Sequence, residues 1–281
     1  MNYKNILLLV FGFFVSSVGF SQDAKERNQE NINVNKFRQL YQEFSSPNMF
    51  RTASGAPGPA YYQQQADYKM DIELDDENKR IYGSETITYT NNSPDNLEYL
   101  WVQLDQNIRK KDSPSLLIDG GGVSPAYLPS GFTKEFLTDS FDGGFNIDYV
   151  VDENNKPLEH FVNQTMMRVD LPNILKSGES FSFSIKWWYN IQDHVNQDGR
   201  SGYESFDKDG NRVYIIAQFF PRMAVYNEVE GWQNYQFWGD GEFALPFGNY
   251  DVKITVPSDH ILDATGELQN RKNVFSKEMI K

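Results

Sequence analysis

Histidine is the scarcest catalytic side chain in this sequence: His160, His194 and His260 are the whole supply. A zinc motif of the H-E-x-x-H type puts two imidazoles four residues apart on one helix face. Here the three histidines lie far apart and none precedes a glutamate. The expectation is therefore no metal ligand and no catalytic residue within this chain. Cysteine is absent, which removes disulfides, thiolate metal sites and thiol nucleophiles together. An activated serine needs a base beside it, and no G-x-S-x-G occurs. Carboxylate runs such as Asp75–Glu77 and Glu228–Glu230 could supply the pair a glycosidase uses across a cleft. In so acidic a chain they read as solvated turns. Gly120–Gly122 lacks the G-x-x-x-x-G-K-[ST] pattern of a phosphate loop. Asp207–Asn211 resembles the opening of a calcium loop, but without flanking helices or the closing glutamate it reads as a hairpin turn.

What remains is binding chemistry. Trp232, Tyr235, Phe237 and Trp238 cluster in sequence and could form a sugar-stacking platform or simply join the core. The segment Ala217-Gln218-Phe219-Phe220-Pro221-Arg222-Met223-Ala224-Val225-Tyr226 runs from a buried-looking strand into a glutamine and then a proline-bearing turn. Polar residues at such strand ends are often aimed at a ligand. The competing role for Gln218 is to satisfy backbone groups at the strand end.

The elements that must position these residues are strands. Ala66, Tyr68, Met70, Ile72 and Leu74 alternate with Asp67, Lys69, Asp71 and Glu73, the period of a half-buried strand. Residues 75–79 are the turn and residues 81–90 the returning strand, with Gly83 expected at a bulge. Further strands are expected over 97–104, 145–151, 166–171, 180–189, 213–220 and 250–256. Phe181, Phe183, Ile185 and Trp187 share one face of the fourth of these. Turn chemistry marks 154–157, 176–178 and 207–211. Aromatic residues make up 15% of the chain, which favours strands. The pattern predicts an all-β fold, an antiparallel open β-sandwich of saddle shape, preceded by a short helix within residues 32–44. Residues 45–60 read as an extended Pro/Gly-rich connector, and residues 112–140 as a long insertion.

Residues 1–21 carry a single charge, Lys4, then an apolar run and small residues through Ser21. That is an export signal, with cleavage expected after Ser21, and the run is short of the roughly 20 apolar residues a membrane span needs. The domain expectation is thus a signal peptide over 1–21, helix and connector over 22–60, and a β-domain over 61–281. No membrane span is expected after cleavage. The mature chain is expected outside the cytoplasm, whether periplasmic, cell-surface or secreted. A formal net charge of −13 argues against nucleic acid or an anionic membrane as partner.

Several strings resemble the N-terminal domain of aminopeptidase N-like zinc metallopeptidases, the gluzincin aminopeptidases. Arg80-Ile81-Tyr82-Gly83-Ser84-Glu85-Thr86-Ile87-Thr88-Tyr89 looks like that domain's second strand, and Tyr99-Leu100-Trp101-Val102-Gln103-Leu104 like its third. Residues 217–226 sit where the family has a glutamine-bearing turn, and Ala264-Thr265-Gly266-Glu267-Leu268 resembles a stretch near the domain's end. Residues 51–59 look like the exported bacterial branch. The resemblance covers roughly residues 61–269. It implies a non-catalytic domain that packs on a following zinc-binding catalytic domain and lends residues to its substrate pocket. Zinc, and the peptide substrate, would then be held through that other domain. Gln218 matches the family's glutamine. Two residues on, where the family often has Glu or Gln to hold the substrate's free amine, this chain has Phe220, which suits an apolar subsite. The alternative is a free-standing exported β-sandwich that binds a ligand or glycan through its aromatic cluster.

Overall fold

The computed structural model describes residues 47–118, 126, 128–133, 141–195, 200–239 and 244–280. The expected signal peptide and N-terminal helix lie outside these residues, as does much of the 112–140 insertion. Residues 44–281 form one compact unit.

Thirteen strands account for nearly all regular structure among the described residues. A five-stranded sheet contains β1 (Gln65–Asp75), β2 (Arg80–Thr90), β4 (Asn146–Asp152), β7 (Ser180–Asn190) and β13 (Tyr250–Thr255), in the order β13-β1-β2-β7-β4. A four-stranded sheet contains β3 (Leu97–Gln103), β5 (His160–Asn163), β6 (Met166–Leu175) and β10 (Arg222–Met223), in the order β10-β3-β6-β5. Two short ribbons complete it, β8 (Gly202–Phe206) with β9 (Asn211–Ile215), and β11 (Tyr226–Asn227) with β12 (Gly231–Trp232). All pairings are antiparallel except β13, which runs parallel to β1. The all-β sandwich expected from the alternation is the architecture observed.

Alternation builds the core directly. Tyr68, Met70 and Ile72 on β1, Ile81, Ile87 and Tyr89 on β2, and Phe183, Ile185, Trp187 and Tyr189 on β7 are all buried. They pack against Leu97, Leu100 and Val102 of β3 and Met167 and Val169 of β6. The opposite face of the β2–β7 pair is polar. There Thr86, Thr88 and Thr90 share hydroxyl hydrogen bonds with Ser184, Ser182 and Ser180, at 2.9, 2.8 and 2.8 Å. Such cross-strand pairs pin the register.

Several local expectations need correction. Gly83 is not at a bulge: it pairs in unbroken register with Ile72 and Trp187. A Cβ there would stand 2.2 Å from the Trp187 ring, so the glycine makes room for the indole across the strand. The strand expected over 213–220 ends at Ile215, because side chains capture the backbone of residue 217. The strands β5 and β8 escape the sequence reading. Each is only four or five residues long, with mostly exposed side chains that carry no alternation.

The β13 edge is unusual. Four of its six residues at the strand start, from Tyr250 to Lys253, are exposed despite their pairing with β1. The chain reaches β1 through Gly248, where a Cβ would lie 1.6 Å from the Ala66 carbonyl oxygen. That close approach lets the amides of Ala66 and Tyr68 donate to Phe247 and Asn249.

Candidate functional site

Residues 217–223 cross from the β8–β9 ribbon to the edge of the four-stranded sheet, and buried side chains dictate their path. Ser201 Oγ accepts from the Ala217 amide at 2.8 Å and donates to the Ala217 carbonyl at 2.9 Å. Gln106 Nε2 donates to the carbonyls of Ala217 and Gln218, each at 3.0 Å. Gln106 lies in a single 3-10 turn, Asp105–Arg109, directly after β3. Its own carbonyl oxygen accepts from Arg109 Nη1 at 3.1 Å. Arg109 Nε in turn donates to Gln192 Oε1 at 2.6 Å, and Gln192 Nε2 donates to the Ser201 carbonyl. This closes a loop of buried polar groups around the strand end. Buried polar groups that satisfy one another in this way hold a unique geometry.

At the centre of that cradle Gln218 has a φ of 51°. Lys79, Asn155 and Gln164 share this left-handed conformation, but they occupy turns. For a non-glycine residue it costs of order 1–3 kcal/mol, and it persists only where surroundings over-determine it. The Gln218 side chain is half-buried, and its carboxamide has no protein partner among the described residues. A carboxamide does not titrate, so it can orient a ligand by donating and accepting but cannot move protons.

Phe220 stands two residues on. Its half-buried ring meets Tyr68 edge-on at 5.5 Å and Tyr250 at 6.3 Å, while Tyr68 and Tyr250 stack at 4.8 Å. Phe219 is edge-on to Phe220 at 5.1 Å. Phe220 thus belongs to an aromatic group bridging the turn and the β13 edge.

Beyond Pro221, Arg222 forms an ion pair with Asp105, Nη2 to Oδ2 at 2.6 Å, with the carboxylate almost fully buried. Burial pushes the Asp105 carboxyl above its usual range, and the Arg222 guanidinium pulls against it. The Met223 amide donates to Tyr68 Oη at 2.9 Å, tying one sheet to the other. Burial raises the Tyr68 phenol well above its ordinary value. The Glu85 carboxyl, also in the inter-sheet core, is raised well above its own by the same cause.

Sequence reasoning singled out Gln218 and Phe220 but missed Asp105, Gln106, Arg109, Gln192 and Ser201. The one available signal was the polar run Asp105-Gln106-Asn107 immediately after an apolar strand. All three of these side chains are buried. The other candidates disperse. Trp232 packs on Tyr89 and Tyr226, Phe237 is buried and Tyr235 is exposed, so the aromatic cluster does not present one face. Asp207–Asn211 forms the β8–β9 turn. His160 Nδ1 lies against the Leu158 carbonyl, and His260 lies beside Asp259 and Asp76. Among the described residues no three His, Asp or Glu side chains converge as a metal site. No helix among them is long and apolar enough to cross a membrane.

No family model matches this sequence, and no curated protein matches it. Among solved structures the chain is similar to an M1 zinc metallopeptidase from Deinococcus radiodurans. Identity is 11%, coverage is 76% of this chain and 38% of that one, and the TM-score is 0.35. A mutant of that enzyme bound to a Tyr-Ser-Ala substrate gives 12% identity, 76% and 39% coverage and a TM-score of 0.34. A two-domain M1 zinc metallopeptidase mutant bound to L-arginine gives 12%, 74%, 37% and 0.34. The chain spans about two fifths of the length of these structures.

Proposed function

We propose that this chain is the non-catalytic N-terminal β-portion of an exported zinc-dependent aminopeptidase, and that it shapes the substrate pocket of a catalytic domain. The observation that carries the reading is Gln218. Its backbone is held in a left-handed conformation by a buried network that grips the carbonyls of residues 217 and 218, while its carboxamide has no protein partner among the described residues. It falls at the position where the sequence resembles the family's pocket glutamine. In this reading the Gln218 carboxamide hydrogen-bonds the peptide substrate near its N-terminus. The accessible side of Phe220 lines an apolar subsite in place of an amine-binding carboxylate. Zinc would polarise the scissile carbonyl from ligands in the partner domain.

The apolar edge beside this turn supports the same reading. Phe247 is 71% exposed, and Tyr250 and Val252 on the same strand edge are exposed with it. Contiguous exposed apolar residues mark interaction surfaces, and a catalytic domain seated here would cover them next to Gln218. The test is reconstitution. The chain is mixed with a separately produced H-E-x-x-H domain encoded by the DNA directly downstream, and hydrolysis of aminoacyl-anilides is followed. The expected result is a stable complex with activity that neither part shows alone, and a raised KM in Gln218→Ala. A downstream frame without that motif, or a domain whose activity ignores the added chain, overturns the proposal.

A further inference from the structure

The outer face of the four-stranded sheet carries chemistry that the proposed pocket does not use. Trp101 of β3 pairs with Arg168 of β6, which pairs with Phe161 of β5, so the three side chains form one row across three strands. In the next row Tyr99 pairs with Asp170. At the usual interstrand spacing, Trp101 and Phe161 stand about 9.6 Å apart. Phe161 is 66% exposed, and Tyr99 and Trp101 are half-buried. Arg168 does not swing freely between them. Its guanidinium lies 4.0 Å over the Tyr99 ring, and its Nε donates to Asp170 Oδ1 at 2.7 Å.

Beside this row the register breaks. Glu98 on β3 stands opposite four residues of β6, numbers 171 to 174, because Leu97 pairs with Leu175 while Tyr99 pairs with Asp170. The bulge opens a shallow depression of about 700 Å³, lined by Glu98, Arg168, Asp170, Asn173 and Lys176 together with the apolar Leu171, Pro172 and Ile174. Bulges of this kind often re-aim side chains beside functional sites.

We propose that this face binds a neutral oligosaccharide chain, with Trp101 and Phe161 stacking on sugar rings two units apart along it and the bulge depression holding hydroxyl groups. The chemistry favours that ligand over others. Sugar hydroxyls both donate and accept, so their site needs both kinds of partner. Glu98 and Asp170 accept, Arg168 and Lys176 donate, and Asn173 does both. Two acids against two bases leave the wall without net charge, in a chain whose formal charge is −13. A polyanion therefore finds no attraction here. An extended peptide would add along the free edge of β5 through backbone groups, whereas the aromatic row and the depression lie on the face of the sheet. The flat aromatic row suits the apolar faces of pyranose rings. The proposal is independent of the aminopeptidase reading, because it uses the opposite side of the four-stranded sheet from the core and none of residues 217–223.

The experiment titrates the full chain with four neutral hexaoses: cellohexaose, maltohexaose, laminarihexaose and chitohexaose. Tryptophan fluorescence and calorimetry are the readouts, and hexagalacturonate is the anionic comparison. At least one neutral hexaose is expected to bind saturably at one per chain and to shift the tryptophan emission. Phe161→Ala should weaken that binding at least tenfold with an unchanged melting temperature, because the ring is largely in solvent. Asp170→Ala should weaken it as well, while Phe206→Ala, which removes an exposed ring from the β8–β9 ribbon, should leave it unchanged. If Trp101→Ala fails to fold, the Phe161 and Asp170 variants still decide. Failure of all four hexaoses to bind, binding that survives Phe161→Ala, or preference for hexagalacturonate overturns the proposal.

Discussion

Replacing Glu85 with glutamine should stabilise this protein, by an amount that grows with pH. Glu85 occupies the centre of β2, paired with Met70 on one side and Ile185 on the other, and points into the inter-sheet core. Neither carboxyl oxygen has a protein hydrogen-bond partner among the described residues. Burial raises its pKa well above the ordinary value. In the unfolded chain a glutamate releases its proton near pH 4.3. The folded chain still holds it above that pH, so folding takes up a proton. The stability due to Glu85 is therefore complete below about pH 4.3 and is lost as pH rises toward the folded-state pKa. The loss for a single proton approaches about 1.4 kcal/mol per pH unit. Glutamine has the same shape and never ionises, so Glu85→Gln abolishes that slope. The rival effect, a changed hydrogen bond, is worth about 1 kcal/mol and does not vary with pH. Over two pH units the titration is the larger of the two. Urea unfolding of both proteins at pH 5, 6 and 7, read by tryptophan fluorescence, measures the difference. The expected result is an advantage for the variant that widens toward neutral pH. A difference that stays constant across the series, or a variant less stable at every pH, would refute the argument.

Other perturbations test separate parts of the structure. Asp105→Ala leaves the Arg222 guanidinium buried without its partner and should cost about 3–5 kcal/mol in a thermal or urea melt; a loss below about 1 kcal/mol contradicts the buried pair. Gly83→Ala drives a methyl group into the Trp187 ring and should cost about 1–3 kcal/mol, part of it recovered in combination with Trp187→Phe. A double-mutant cycle with no coupling would disprove that contact. Gln218→Gly relieves the left-handed strain and should raise stability by about 1 kcal/mol while weakening peptide recognition in the reconstituted enzyme. Unchanged stability in that variant would show that the strain is not real. Exported material should begin at Gln22, and an intact mass that retains Met1 contradicts cleavage after Ser21.

The strand content and the identity of the core were legible in the sequence, because both follow from a period of two that each strand carries within itself. Tyr68, Met70, Ile72 and Leu74 announce their burial by alternating with charged residues, and Phe183, Ile185 and Trp187 by alternating with Ser182, Ser184 and Lys186 on β7. Gln218 was visible as a polar residue where an apolar strand gives out. Its importance depends on Gln106, 112 positions away, and on Ser201 and Gln192, and no local pattern connects them. The same limit hid the role of Gly83. A missing side chain looks like a flaw in a strand until Trp187 arrives from another strand to fill the space. Strand order, the parallel docking of β13, and the row formed by Trp101, Arg168 and Phe161 were likewise decided only in the folded chain. Alternation tells each strand which face to bury. Which strand lies beside it depends on contacts between residues distant in sequence, and only the closed sandwich brings those together.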